Sequence, residues 1–202
     1  MKERLLRALA RGLIITGFVV GGTLRAAYEL PLATGWNLVS LPEQQTNTDI
    51  EFVTASIRGK FSAVWGYDSD QWSGYFPAQG ASTLARMDAG RAYWIFMTQP
   101  GSLVGAGLRP ASTLALTPGW NFVGHNAAVT KTPAEVYGTN SSVIEAVQSY
   151  EAGAWRIYVP GAPGNTLTLL APGRGYWVRA RAPSVANFGL TLNPRLRVLS
   201  DN

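Results

Sequence analysis

The sequence predicts an all-β protein: two homologous tandem units of about five short strands each, forming a sandwich or small open barrel, with a hydrophobic helix at the N-terminus. Three observations carry this expectation. The chain repeats itself at a nearly constant offset of 84 residues. Within each copy the apolar residues mostly alternate with period two, the strand period. The 22 Gly and 12 Pro among 202 residues break the pattern into short segments, as turn-rich β structure requires.

Taken in order, Met1 to Ala27 has a tripartite layout. Lys2, Arg4, Arg7 and Arg11 are offset only by Glu3, the thirteen residues Gly12 to Leu24 carry no charge, and Ala26 and Ala27 are small. This is the arrangement of a secretory signal peptide. The run is shorter than the roughly 20 apolar residues of a bilayer span. A retained anchor, with Arg7 and Arg11 snorkelling, is the alternative. In both cases the body of the protein is expected outside the cytoplasm: secreted, at the cell surface or in the periplasm.

The repeat covers the rest. Gly35-Trp36-Asn37 recurs as Gly119-Trp120-Asn121, and Leu30 and Leu32 as Leu114 and Leu116. One residue is then lost, and at an offset of 83 Tyr67, Trp72, Tyr75 and Pro77 match Tyr150, Trp155, Tyr158 and Pro160. Gly90 and Tyr93-Trp94 match Gly173 and Tyr176-Trp177, and Gly105 meets Gly189 with the offset back at 84. Internal repetition of this kind defines the units, here residues 28–111 and 112–202.

Each unit reads as a strand after a turn glycine (Trp36 to Leu41), then a short helical segment. The helical candidates are Asp49 to Ile57 and Pro133 to Tyr137, each following a Thr expected to cap it. Phe61, Ala63, Trp65 and Tyr67 alternate onto one face, with Ile144, Ala146, Gln148 and Tyr150 as partners. Asp68 to Gln71 and Glu151 to Ala154 are expected as four-residue hairpin loops. The return strands Trp72 to Phe76 and Trp155 to Val159 stop at prolines, which cannot donate to a ladder. Ala92 to Met97 and Gly175 to Ala180 form a fourth strand, and Ser102–Val104 and Val185–Phe188 close the units. The tail Arg195 to Leu199 repeats the start of a unit. The opening strand of each copy is therefore expected to complete the preceding unit's sheet, with the tail doing so for the second.

The motifs Gly35-Trp36-Asn37-Leu38-Val39-Ser40-Leu41-Pro42, Trp72 to Pro77 and Leu84 to Trp94, with their second copies ending in Gly173-Arg174-Gly175-Tyr176-Trp177, carry a resemblance. The chain is similar to the tandem β-repeat, GWN at one end and GYW at the other, of exported bacterial surface and extracellular multidomain proteins. The first copy departs from the second by Ala92 in place of Gly175. The second departs by Gly124-His125-Asn126 in place of Ser40-Leu41-Pro42. The resemblance implies a secreted, non-catalytic module and brings no active site with it.

Composition excludes several chemistries. The 11% aromatic and 14% charged residues are not those of a disordered chain. With no Cys and one His there is no disulfide, thiolate or zinc set to assemble. No metal or other cofactor is expected. His125 is the one near-neutral base, but Leu41 holds its place in the first copy and no G-x-S-x-G elbow exists for it to serve. Asp68-Ser69-Asp70 resembles the start of a calcium loop, yet the second copy has Glu151-Ala152-Gly153, and a turn explains both. Glu51 and Glu135, near-equivalent acids, fall on the helical turns and suggest no glycosidase pair. Gly105-Ala106-Gly107 and Gly173-Arg174-Gly175 lack the strand-to-helix setting of a phosphate loop and read as turns or close backbone approaches. No catalytic residues and no enzyme activity are expected.

What remains is aromatic and basic. Six of the seven Trp pair up between copies: Trp36 with Trp120, Trp72 with Trp155, Trp94 with Trp177. Such repeated aromatics read first as scaffold. Trp65, with Gln148 opposite, is the exception, so Trp65, Trp72 and Tyr75 are the candidate platform for sugar rings. The formal charge is +5, but without Met1 to Ala26 the chain holds 12 basic and 11 acidic residues. The nucleic-acid reading of the basic composition thus loses most of its support. Arginines gather toward the C-terminus. Arg179, Arg181, Arg195 and Arg197 are the candidate contact for an acidic partner or surface, against a solvated face. The expected function is a non-enzymatic structural or interaction protein, a subunit of a surface or extracellular assembly. Its partner would be another protein or a second copy. The alternatives are a carbohydrate-binding module and, further off, a secreted hydrolase. A membrane is a partner only if the N-terminal segment is retained.

Overall fold

The computed structural model describes residues 28–189. The signal or anchor segment 1–27 and the tail arginines Arg195 and Arg197 lie outside the described residues. The chain is mainly β, in two similar groups of antiparallel strands. The first group comprises β1 (Tyr28–Leu32), β2 (Gly35–Ser40), α1 (Ile50–Val53), β3 (Phe61–Asp68), β4 (Gln71–Tyr75), β5 (Ala92–Met97) and β6 (Gly101–Gly105). The second comprises β7 (Thr113–Leu116), β8 (Gly119–Gly124), α2 (Pro133–Tyr137), β9 (Ile144–Glu151), β10 (Ala154–Tyr158), β11 (Gly175–Ala180) and β12 (Ser184–Asn187). Each group has a four-stranded sheet, β2-β5-β3-β4 or β8-β11-β9-β10, and a two-stranded ribbon, β1-β6 or β7-β12.

Among the described residues each group has six short strands, in keeping with the expected number, and its opening strand stays at home. β1 pairs with β6, and β7 with β12, so β7 does not complete the preceding sheet as the tail suggested. The GWN turn is the cause. Gly35 and Gly119 sit at φ +91 and +95, a left-handed turn suited to glycine. The Asn37 amide then grips the chain behind it, accepting from the Ala33 N–H at 3.0 Å and donating to the Ala33 carbonyl at 2.7 Å. Asn121 holds Thr117 in the same way. The clamp fixes the short link between each opening strand and the four-stranded sheet that follows it, which keeps that strand in the ribbon of its own unit.

Other local features refine the sequence expectations. The hairpin turns have two residues, Ser69-Asp70 and Ala152-Gly153, all at positive φ, the geometry whose twist matches paired strands. A register shift between Phe61 and Ala63 turns Phe61 over into the first unit's core beside Val64. Phe61 thus does not share a face with Trp65 and Tyr67. Asp49, not Thr48, caps α1 by accepting from the Glu51 N–H, while the Thr48 carbonyl takes the Met87 N–H. Thr132 and Glu135 form the capping box of α2.

Each unit has its own apolar core, one centred on Ile57, Val64, Ile95 and Leu103, the other on Val136, Val147, Leu170 and Val178. A third cluster joins the two sheets: Leu38, Ala92 and Phe122, with Tyr67, Trp94, Tyr150 and Trp177 packed on it. Its contacts are reciprocal. The Ser40 N–H donates to the Gly173 carbonyl at 3.0 Å, and the Gly124 N–H to the Gly90 carbonyl at 2.9 Å. Within each unit a matching ion pair stands beside this seam, Arg91 with Asp68 at 3.0 Å and Arg174 with Glu151 at 3.6 Å. In sequence each of the two backbone bonds between the units is the repeat image of the other, so the units are related by a pseudo-two-fold axis.

Candidate aromatic binding clefts

Side chains on a strand alternate between faces. In β2, β3 and β5 the residues Val39, Val64 and Ile95 face the unit core, so Leu38, Trp65 and Trp94 face the other way, toward the axis. The second unit turns Phe122, Gln148 and Trp177 to the same region. Across the axis Trp94 meets Tyr150 at 5.3 Å and Trp155 at 5.9 Å, while Trp177 meets Tyr67 at 4.9 Å and Trp72 at 5.7 Å. The rings lie edge to face, a favoured arrangement of aromatic quadrupoles.

These rings do not fill the space between the sheets. A cleft of about 710 Å³ opens there, lined by Trp36, Trp65, Trp72, Trp94, Tyr150 and Trp155. No lining residue carries a charge. Trp36 is 46% exposed, Trp72 50% and Trp155 54%, far more than core tryptophans tolerate. Trp36 is braced by Phe96 at 5.0 Å. Trp65 is braced by Phe76 at 5.2 Å and rests on Gly74, where an added Cβ would stand 3.2 Å from its ring. In the second unit Ile157 occupies the place of Gly74, and Gln148 that of Trp65.

Applying the repeat to this lining gives Trp120, Gln148, Trp155, Trp177, Tyr67 and Trp72, the lining of a second cleft of about 320 Å³. Trp72 and Trp155 belong to both. Both volumes lie in the range of small-molecule sites, roughly 300–1,000 Å³. The Tyr67 hydroxyl donates to the Asp70 carboxylate at 2.8 Å, and that bond holds its pKa above the ordinary phenol value.

Of the predicted site residues, Trp65 and Trp72 come together, ring centroids 6.3 Å apart at 86°. Tyr75 does not join them. It packs on Phe61 at 6.2 Å against the first unit's core, because an odd spacing from Trp72 places it on the opposite strand face. Trp36, Trp94, Tyr150 and Trp155 were missed because their repetition reads as scaffold. The repetition is what builds the clefts. Arg179 and Arg181 both approach Glu145, at 2.9 and 3.9 Å. The Arg179 guanidinium also lies over Trp120 at 5.7 Å, the place Phe96 takes over Trp36. This arginine face is thus partly engaged within its own unit.

The remaining candidates fall into structural roles. Asp68 pairs with Arg91, and Asp70 accepts from Tyr67. His125 is buried, and its Nε2 lies 2.8 Å from the Val129 carbonyl. Because a carbonyl only accepts, Nε2 carries the proton and Nδ1 is bare, with no partner among the described residues. Burial holds the His125 pKa below the ordinary histidine value. Glu135 is committed to Thr132, which lowers its pKa. Gly107 lies against the Gln44 backbone and Gly175 against Ala92. Among the described residues no three His, Asp or Glu side chains converge in a metal-holding group.

Comparison with family models, with curated proteins and with solved structures finds no match to this chain.

Proposed function

We propose that this chain is a non-enzymatic, exported binding module, and that its ligand is an uncharged glycan chain held in the larger aromatic cleft. The observation that carries the reading is the half-exposure of Trp36, Trp72 and Trp155 around an open, uncharged cleft. Large aromatics left open to water at a concave surface mark a binding site. A pyranose ring offers one face of C–H bonds to lie on an indole and an edge of hydroxyls to meet N–H and O–H groups. Tryptophan supplies both a broad apolar face and one donor. The uncharged lining favours a neutral polymer over an acidic one. Export rests on the tripartite layout of residues 1–27 and on the resemblance of the GWN and GYW motifs.

The test is a fluorescence titration of the full chain with cellohexaose, xylohexaose and chitohexaose. Saturable quenching by at least one of them, markedly weakened in Trp65→Ala with thermal unfolding otherwise preserved, is expected. No response to any of the three would count against the reading. A second reading, docking of a protein or a second copy on the same surface, draws on the enrichment of exposed Trp in interfaces. Light scattering separates it, since a concentration-dependent dimer disrupted by Trp72→Ala would favour assembly.

A further inference from the structure

The two clefts are images of one another through the pseudo-two-fold axis, and the consequence is quantitative. Trp36, Trp94 and Tyr150 of the larger correspond to Trp120, Trp177 and Tyr67 of the smaller, while Trp72 and Trp155 exchange places and serve both. One position breaks the equivalence: Trp65 in the larger cleft, Gln148 in the smaller. The difference is supported from behind. Gly74 leaves room for the Trp65 ring and Phe76 braces it, whereas Ile157 and Val159 stand at those places in the second unit.

We propose that the smaller cleft is a second, weaker site for the same class of uncharged glycan, so that one molecule holds two chain segments side by side. This rests on the glycan reading of the larger cleft. The same ring types in the same reciprocal arrangement offer the same stacking chemistry. Losing one tryptophan wall, and more than half of the volume, lowers affinity without changing ligand class. Gln148 is uncharged and offers an amide to hydroxyl groups, so the smaller cleft also selects a neutral ligand. The two sites share Trp72 and Trp155 as a common partition. A module built this way cross-links polymer strands instead of merely decorating one.

Isothermal calorimetry of the full chain with cellohexaose, xylohexaose and chitohexaose tests this, with near-ultraviolet circular dichroism as the folding control for each variant. The expected result is two ligands per chain, the second bound about tenfold or more weakly. Trp36→Ala should remove the tighter event alone, Trp120→Ala the weaker alone, and Trp72→Ala should impair both. Gln148→Trp combined with Ile157→Gly should bring the weaker event toward the tighter. A single event, abolished by Trp36→Ala and untouched by Trp120→Ala, would overturn the second site and leave the glycan reading standing. No heat with any of the three sugars from folded protein would overturn both.

Discussion

Ser40 and Gly124, equivalent positions of the two units, stand opposite one another at the pseudo-two-fold axis. A Cβ built on Gly124 would lie 2.6 Å from the Cβ of Ser40. Ala92 and Gly175 are related in the same way, at 2.8 Å. Near such an axis, equivalent residues meet, and where the backbones approach closely one of the two side chains has to be absent. The departures from exact repetition at these positions are therefore a requirement of the symmetry.

Gly124→Ser, which would make the two copies identical there, is expected to destabilise the protein by about 1–3 kcal/mol through overpacking. The exchange Ser40→Gly with Gly124→Ser should recover much of the loss, because the Ser40 hydroxyl bond to the Arg174 carbonyl has its image at the Arg91 carbonyl. Urea unfolding of the three variants checks this. Equal stability of Gly124→Ser and the parent would contradict it.

Tyr93 and Tyr176 tie down the turns that lead into β5 and β11. The Tyr93 hydroxyl accepts from the Asp88 N–H at 2.7 Å, and that of Tyr176 from the Ala171 N–H at 2.8 Å. Burial raises both phenol pKa values, so neither ionises in the ordinary range. Tyr93→Phe and Tyr176→Phe should each cost about 1–3 kcal/mol, because a half-buried amide loses its partner. Chemical denaturation would show the loss as a lower midpoint with unchanged slope.

His125 makes stability depend on pH with a definite sign. Its pKa is lowered by burial, with the nearby Lys131 charge acting the same way and the Val129 carbonyl opposing. The unfolded chain takes up a proton as pH falls below about 6.5 while the folded chain does not. The stabilisation is therefore fully present above that pH and declines below it, until the folded pKa is reached. His125→Leu, which copies Leu41, removes this component. Melting temperatures from pH 8 to pH 5 should fall less steeply in the variant. Parallel profiles would refute the assignment.

Gly74→Ile gives the first unit the residue that the second has at Ile157. The added side chain collides with Phe76, at 2.9 Å from its Cβ, and with Trp65. The expected outcome is a Trp65 wall displaced from the larger cleft and a glycan affinity lowered about tenfold. Calorimetry would detect it, and an unchanged affinity would show that Trp65 is not held by this contact.

Much of the fold was legible because the repeat aligns strand against strand, and the prolines and turn glycines delimit each one. The Asn37 clamp, the two-residue hairpins and the register shift at Phe61 were not, since each depends on backbone geometry that a period-two pattern does not encode. The pairing of β1 with β6 follows from that clamp and reversed the expectation drawn from the tail. The candidate site was half legible. Trp65 stood out by breaking the repeat, and Trp72 by its place across the hairpin. Tyr75 was misassigned by an odd residue count. Trp36 and Trp94 share the sheet face of Trp65 but read as scaffold, and Tyr150 and Trp155 join the cleft only because two units face each other, which no single copy reveals.

The most direct test of the central claim is the set of seven tryptophan indole N–H resonances, followed by ¹H–¹⁵N NMR during titration with the hexasaccharide that quenches best. The account predicts that Trp36, Trp65, Trp72, Trp94 and Trp155 move first, with Trp120 and Trp177 following at higher concentration. Saturating shifts confined to backbone amides outside both clefts while all seven indoles stay in place, or no shift at all, would contradict it.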